Sequence, residues 1–322
     1  MDNYNRKLRE DVMLKIHFLN VGHGDSAIIE LPERTMMIDI NNGQALDEST
    51  KNELMESFSI SPIDLIFKSF NEVLLEKGYN IPLTNPIEYL KGLGINSIFR
   101  FILSHPHMDH MTGLHDLVNK ENVGITNFWH SGVELDTPDF SKANYNEDDW
   151  NTYIELKNSD ESPKNLVKNA GDTGEFWTDD GIEILCPTDD LKKIAVEKNR
   201  LNLCSYVLLI TYKDFKFVLA GDAEKESWDY IVENYSDKIS NVNVLKAAHH
   251  GRESGFHEEA VKLMNPEYTV VSVGKKPDTD AHNQYKKYTR EKVLSTRYRG
   301  NITVTIDDNG NGSIDWQYHK ND

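Results

Sequence analysis

Apolar and polar positions fall into short runs from the start of the chain. Residues 13–19, 26–31 and 35–39 read as three strands, with turns at Gly22-His23-Gly24 and Pro32-Glu33-Arg34 between them. From Asn41 to about residue 94 the period becomes helical. Ser61-Pro62 has the form of an N-cap with proline at the first helical position. Ile63, Ile66, Phe67, Phe70 and Val73 follow at helical spacing, and Asn85-Pro86 opens another short helix through Leu90. A buried strand at 99–104 runs straight into a histidine-rich stretch, after which 112–118 resumes as helix. Residues 134–180 are acidic and loop-rich. Strand patterns return at 181–186, 205–212, 215–220, 242–248 and 268–273, with a helix around Trp228 and Ile231. A hairpin from 301–306 to 313–316 turns across Asp308-Asn309-Gly310-Asn311-Gly312. Strands mixed with helices, and no internal repeat, predict a layered α/β fold.

Length and composition set bounds on this picture. The 322 residues suit one large α/β domain over 1–322, carrying a helical insertion near 43–96 and an acidic, loop-rich insertion near 134–180. The longest apolar runs, such as 206–210, have strand length and are too short to span a bilayer, and residues 1–9 lack the apolar core of a signal peptide. Only two cysteines occur, Cys186 and Cys204, which fit neither a disulfide scaffold nor a cysteine-rich zinc site. A cytoplasmic protein without a membrane partner is expected. The formal net charge of −18 weighs against a free-standing, high-affinity nucleic-acid binder. It leaves room for a nuclease, because bound metal and a local basic strip can dominate a site. One such strip exists: Lys275, Lys276, Lys286, Lys287, Arg290, Lys292, Arg297 and Arg299 face only Asp278, Asp280 and Glu291. A solvated basic face and a substrate surface are equally good readings of it.

The candidate chemistry lies at strand ends. His105-Pro106-His107-Met108-Asp109-His110 places four candidate metal ligands within six residues, directly after an apolar strand. Imidazole and carboxylate suit zinc, manganese or iron. A lone histidine is most simply a core or surface residue, but that account does not explain this density. Asp222 follows another apolar strand, and His249-His250 follows a third. Carboxyl ends of strands are where open α/β sheets gather ligands.

This order, His-x-His-x-Asp-His, then a strand-end Asp, then a strand-end His, resembles the metallo-β-lactamase superfamily. Within it, the likeness is to the hydrolase domain of DNA-uptake competence proteins (ComEC-like). Residues 18–26 resemble that group's Asp-Val-Gly-Gln-Gly-Asp opening. Asn202-Leu203-Cys204-Ser205, Ala220-Gly221-Asp222-Ala223, 245–251, Ser272-Val273-Gly274 and 296–302 appear in the same order as in that group. The resemblance implies an αββα four-layer sandwich and two divalent metal ions, zinc before manganese or iron. By it, His105 and His107 would bind the first metal, Asp109 and His110 the second, and Asp222 would bridge. His250 is preferred over His249 as the terminal ligand, because a glycine follows it. Asp39 would steady the cluster by hydrogen bonding, with Asp25 of the opening motif in a similar supporting place. Two departures stand out: Asn20 and His23 replace the usual Asp and Gln, and no histidine occurs from 131 to 221, where the superfamily has a further ligand. His130 is either its substitute or a loop histidine near the pocket.

The chemistry so implied is hydrolysis by a hydroxide shared between two metals. Asp109 would orient the nucleophile or accept its proton, and His282 or His249 would protonate the leaving oxygen. Arg252, Ser254, His257, Lys275 and His282 are weaker candidates for touching substrate, a plain surface role being simpler for each. A phosphodiesterase or nuclease is the first expectation. The alternatives are a hydrolase of a small ester, lactone, thioester or cyclic nucleotide, which an acidic surface suits better, and a partner-dependent component of a multi-protein system, such as a defence system, docked through 134–180.

Overall fold

A computed structural model describes residues 12–42, 46, 48–141, 145–274 and 279–319. Among the described residues fourteen strands follow one another in two sets. The first comprises β1 (Val12–Phe18), β2 (Ala27–Glu30), β3 (Thr35–Ile38), β4 (Ser97–Ile102), β5 (Gly124–His130) and β6 (Lys164–Val167). The second comprises β7 (Ile182–Cys186), β8 (Val207–Tyr212), β9 (Phe215–Leu219), β10 (Val244–Lys246), β11 (Tyr268–Val271) and β12 (Lys292–Ser295). The chain then returns to the first sheet as a hairpin, β13 (Ile302–Asp307) and β14 (Gly312–Trp316). The first sheet has the order β14-β13-β1-β2-β3-β4-β5-β6, and the second β12-β11-β10-β9-β8-β7. The β3-to-β6 run and the β9-to-β12 run are parallel, and the remaining pairs are antiparallel.

Three apolar cores define four layers. Leu14, Ile16 and Phe18 of β1 meet Ile184, Leu208, Phe217 and Val270 of the second sheet, so the two sheets pack face to face. Alternate residues turn outward, as strand geometry requires. Phe101 and Phe128 pack outward against Ile87 and Leu90 of the helix Pro86–Gly92 and Trp150, Tyr153 and Leu156 of the helix Glu147–Lys157. On the far side, Val218 and Leu245 pack against Trp228 and Ile231 of the helix Lys225–Ile239 and Val261 of the helix Glu258–Met264. This is the αββα sandwich expected from the sequence.

One expectation about local structure needs correcting. No helix begins at Ser61-Pro62. The Ser61 backbone N–H and hydroxyl both donate to Asp64, at 2.7 Å each, and successive i to i+3 turns follow from Asp64 to Ile66. Ile63, Ile66 and Phe67 are 75%, 62% and 93% exposed, so nothing covers the apolar face a helix would present. Short helices are marginal without such cover. The helix starts instead at Phe70–Glu76, where Ser69 and Glu72 form a reciprocal capping box. The 112–118 stretch does resume as helix, from Leu114, and continues as a π-helix at Asp116–Lys120. The acidic segment is more ordered than its composition suggests. It supplies the helix Glu147–Lys157, the edge strand β6 and the short helix Glu175–Asp179. Asp180, just beyond, is buried and accepts from Arg34 (2.8 Å) and Arg100 (3.0 Å). Among the described residues no helix is long and apolar enough to cross a membrane.

Candidate metal centre

Parallel pairing brings the strand ends together. Leu219 of β9 pairs with Lys246 of β10, so Asp222 and the His249-His250 pair leave the sheet side by side. The His249 N–H donates to the Gly221 carbonyl at 3.1 Å, which fixes that offset. From the first sheet, β4 delivers residues 104–110, and the Tyr206 N–H donates to the Ser104 carbonyl at 3.0 Å across the sandwich. The Asp25 and Ile40 N–H groups then clip the 3-10 turn Met108–His110 in place through the carbonyls of Asp109 (3.1 Å) and His110 (2.9 Å).

The result is a gathering of Asp109, His110, Asp222 and His250, whose donor atoms lie within 4.8 Å of one another. His250 Nε2 is 3.1 Å from Asp109 Oδ2 and 3.5 Å from Asp222 Oδ2, and His110 Nε2 is 3.4 Å from Asp222 Oδ1. Two donors on one ion stand no more than about 4.2 Å apart, twice a bond of about 2.1 Å. All three distances fall within that limit. His110 Nε2 and Asp222 Oδ1 are buried without a hydrogen-bond partner among the described residues, the condition a cation would relieve. A second set of donors shares Asp222: His105 Nε2 lies 2.9 Å from His107 Nδ1 and 3.9 Å from Asp222 Oδ2, and His249 Nε2 lies 3.8 Å from the same oxygen. Asp25 and Asp39 converge on His110 as well, but both are engaged otherwise.

Asp39, with φ of 58°, accepts from the Ser104 N–H and hydroxyl at 2.7 Å each and from His110 Nδ1 at 2.7 Å. That bond leaves His110 Nε2 as the free donor. His250 Nδ1 donates to the Ser272 carbonyl at 3.1 Å, with Asp25 Oδ1 3.6 Å away, and Lys246 forms a buried ion pair with Asp25. His249 Nδ1 is held by the Ser254 hydroxyl at 2.7 Å. His110, His250 and His249 are therefore each oriented by a bond on the far nitrogen.

Electrostatics follow from this crowding. Burial works against charge at every one of these groups, and neighbours decide the outcome. It pushes the His105 imidazole well down, reinforced by His110 and His107. At His110 burial is overcome by Asp222, Asp39 and Asp109, which hold the ring well above its usual range. At His250 burial is likewise overcome, chiefly by Asp222, and the value rises to about 10. The Asp109 and Asp222 carboxyls sit well below the usual range, because His110 and His250 outweigh their burial.

The other candidates lie apart from this cluster or at its edge. His130 ends β5, accepts from the Gly132 N–H at 3.1 Å and stacks on Phe128. Burial lowers its pKa to about 4, and the charges that reach it are Lys157, Glu134 and Lys192, none of them in the cluster. His282 opens the helix His282–Tyr288 and lines a cavity beside β12. Ser254 faces His249, and Arg252 forms a backbone bridge with Asp280. His257 caps the helix Glu258–Met264 and meets Asp229 at 3.0 Å. Lys275, with Lys276 and Asp278 of the basic strip, lies outside the described residues.

Sequence reasoning passed over His23. Its Nε2 lies 3.6 Å from Asp109 Oδ2 and its ring 4.8 Å from that of His250, at the exposed side of the cluster. The signal was present, since His23 is one of the two departures in the opening motif. Lys246 gave none beyond being a lysine inside an apolar strand.

The layer order and the donor set at the sheet edge make this a metallo-β-lactamase-fold protein with a candidate metal centre. No protein-family model matches the chain. Its sequence is similar to ComE operon protein 3 of Bacillus subtilis (strain 168), with 24% identity over 306 residues. That alignment covers 94% of this chain and 33% of the relative, so the chain spans about a third of that protein's length. Among solved structures it is similar to Igni18, a metallo hydrolase of Ignicoccus hospitalis, at 14% identity and a TM-score of 0.45, covering 90% of this chain and 98% of that one. It is also similar to YhfI, a metallo-β-lactamase fold protein of Bacillus subtilis, at 12% identity and a TM-score of 0.41, covering 87% and 95%.

Proposed function

We propose that the protein is a metal-dependent hydrolase of phosphodiester bonds, a nuclease or phosphodiesterase. The observation that carries this reading is the convergence of Asp109, His110, Asp222 and His250 around two buried donor atoms with no partner among the described residues. Those four residues would hold one divalent ion, zinc or manganese. His105, His107 and the shared Asp222 would hold a second, and His249 is the remaining donor that faces the same carboxylate oxygen. A bound ion pair would acidify water and draw charge from a phosphoryl oxygen. Asp39, Ser272 and Ser254 keep the imidazoles turned inward. The Asp109 side chain is 27% exposed and would take a proton at the mouth. His23, 34% exposed beside it, would return one to the leaving oxygen. The sequence resemblance to the competence-protein hydrolase domain supports a phosphodiester as the bond cleaved.

The test uses purified protein with Mn²⁺ or Zn²⁺ and bis-p-nitrophenyl phosphate. Turnover should fall by about 100-fold or more in Asp109→Ala. Equal turnover by both proteins would remove the site assignment. Turnover of a lactone or thioester, and of no phosphodiester, would move the substrate class to a small ester while leaving the site in place.

A further inference from the structure

A second concavity of about 590 Å³ lies along β12, the edge strand of the second sheet, beneath the helix His282–Tyr288. That volume falls within the range of small-molecule sites. Lys286, Lys292, Arg297 and Arg299 line it against Asp280 and Glu291, a local positive excess in a chain of net charge −18. Arg297 is only 2% exposed. Its Nη1 donates to Glu53 at 2.6 Å and its guanidinium lies 5.1 Å from the Tyr298 ring centre, yet its Nε has no hydrogen-bond partner among the described residues. The hydroxyl of Ser295, two residues earlier on the same wall, is also buried and unpartnered. Buried donors without partners are costly, and both of these residues line the one cavity. The Nε edge of a guanidinium is the face that grips an oxyanion, and a serine hydroxyl supplies a further donor.

We propose that this cavity binds a phosphate-bearing ligand of mononucleotide size, with the phosphate on Arg297 Nε and Ser295 Oγ. Lys286 stands exposed at the rim and Tyr298, also exposed, offers a ring face. None of these residues belongs to the metal donor set, so the site does not depend on the hydrolase reading. It does adjoin that centre: Val271 and Val273 of its wall flank Ser272, which holds His250, and the Ala281 N–H donates to the Gly251 carbonyl at 2.9 Å. A free nucleotide and one unit of a nucleic-acid strand present the same chemistry here.

The test is calorimetric titration of the full chain in EDTA, which keeps phosphate from binding through metal. Adenosine monophosphate should bind and adenosine should not. Ser295→Ala and Lys286→Glu should each weaken binding by about five- to tenfold. Arg297→Lys, which keeps a cation near Glu53, should weaken it further with an unchanged circular dichroism spectrum. Asp222→Ala should leave it unaltered. A trinucleotide bound at least tenfold more tightly than the monophosphate would support the site and identify its source as a strand, and equal affinity would support it with the free nucleotide as source. No binding of adenosine monophosphate at millimolar concentration, or equal affinity in the wild type and both rim and wall variants, would overturn the proposal.

Discussion

His249 and His250 both have left-handed backbone angles, φ of 48° and 53°. Such a conformation costs a non-glycine residue about 1–2 kcal/mol, and two in succession mark a turn held by its surroundings. Its effect is to aim neighbouring imidazoles at the same carboxylate oxygen, with Nε2 atoms 3.8 and 3.5 Å from Asp222 Oδ2. His250→Ala is expected to lose the ion held by the four-donor set. His249→Ala is expected to reduce the metal content from two ions per chain to one, as read by elemental analysis; two ions retained would remove His249 from the donor set. Ser254→Ala frees His249 Nδ1, and a fall of about tenfold in affinity for the ion assigned to His105, His107 and His249 is expected from titration calorimetry.

Between elements, the site depends on backbones that approach very closely. A Cβ on Gly274 would stand 2.6 Å from the His23 nitrogen and 2.7 Å from the Gly22 carbonyl carbon. Both obstacles are backbone, so neither can swing aside, and the loops after β1 and β11 would have to separate. Gly274→Ala should lower stability by about 1–3 kcal/mol in urea unfolding and displace His23 from Asp109. Remote from the site, Asp180→Ala leaves the buried Arg100 guanidinium without its counter-charge. The expected loss is about 3–5 kcal/mol in the same measurement. Strand patterning was legible at this scale because alternation and apolar runs report burial directly. The series Ile63 to Val73 misled for the same reason: periodicity registers an apolar face but not whether anything packs on it. β12 went unread because its four residues sit inside the basic strip, where charge masks the strand pattern.

Across the whole molecule, the centre concentrates buried carboxylates and imidazoles at the seam between the two sheets. A cation that binds only the folded chain adds stability by mass action, about 4 kcal/mol at a thousandfold excess over its dissociation constant. Chelation should therefore lower the thermal midpoint of the wild type. Asp222→Ala, which removes the shared ligand, should show little further fall on chelation. An identical midpoint for the wild type with and without EDTA would argue against metal binding there.

The histidine cluster, the strands that carry it and the strand-end positions of Asp222 and His249-His250 are readable from residue order, because these are local features within a few residues. The same order also determined that the chain would layer strands with helices. Tertiary structure alone decided which donors share a centre. Asp109 and His250 are 141 residues apart and meet at 3.1 Å only through the register of two sheets packed face to face. The same packing put His23 beside Asp109, set Lys246 against Asp25 and left His130 among Lys157, Glu134 and Lys192. Spacing along a chain carries no information about such meetings, since strand order, pairing direction and sheet-to-sheet packing determine them together.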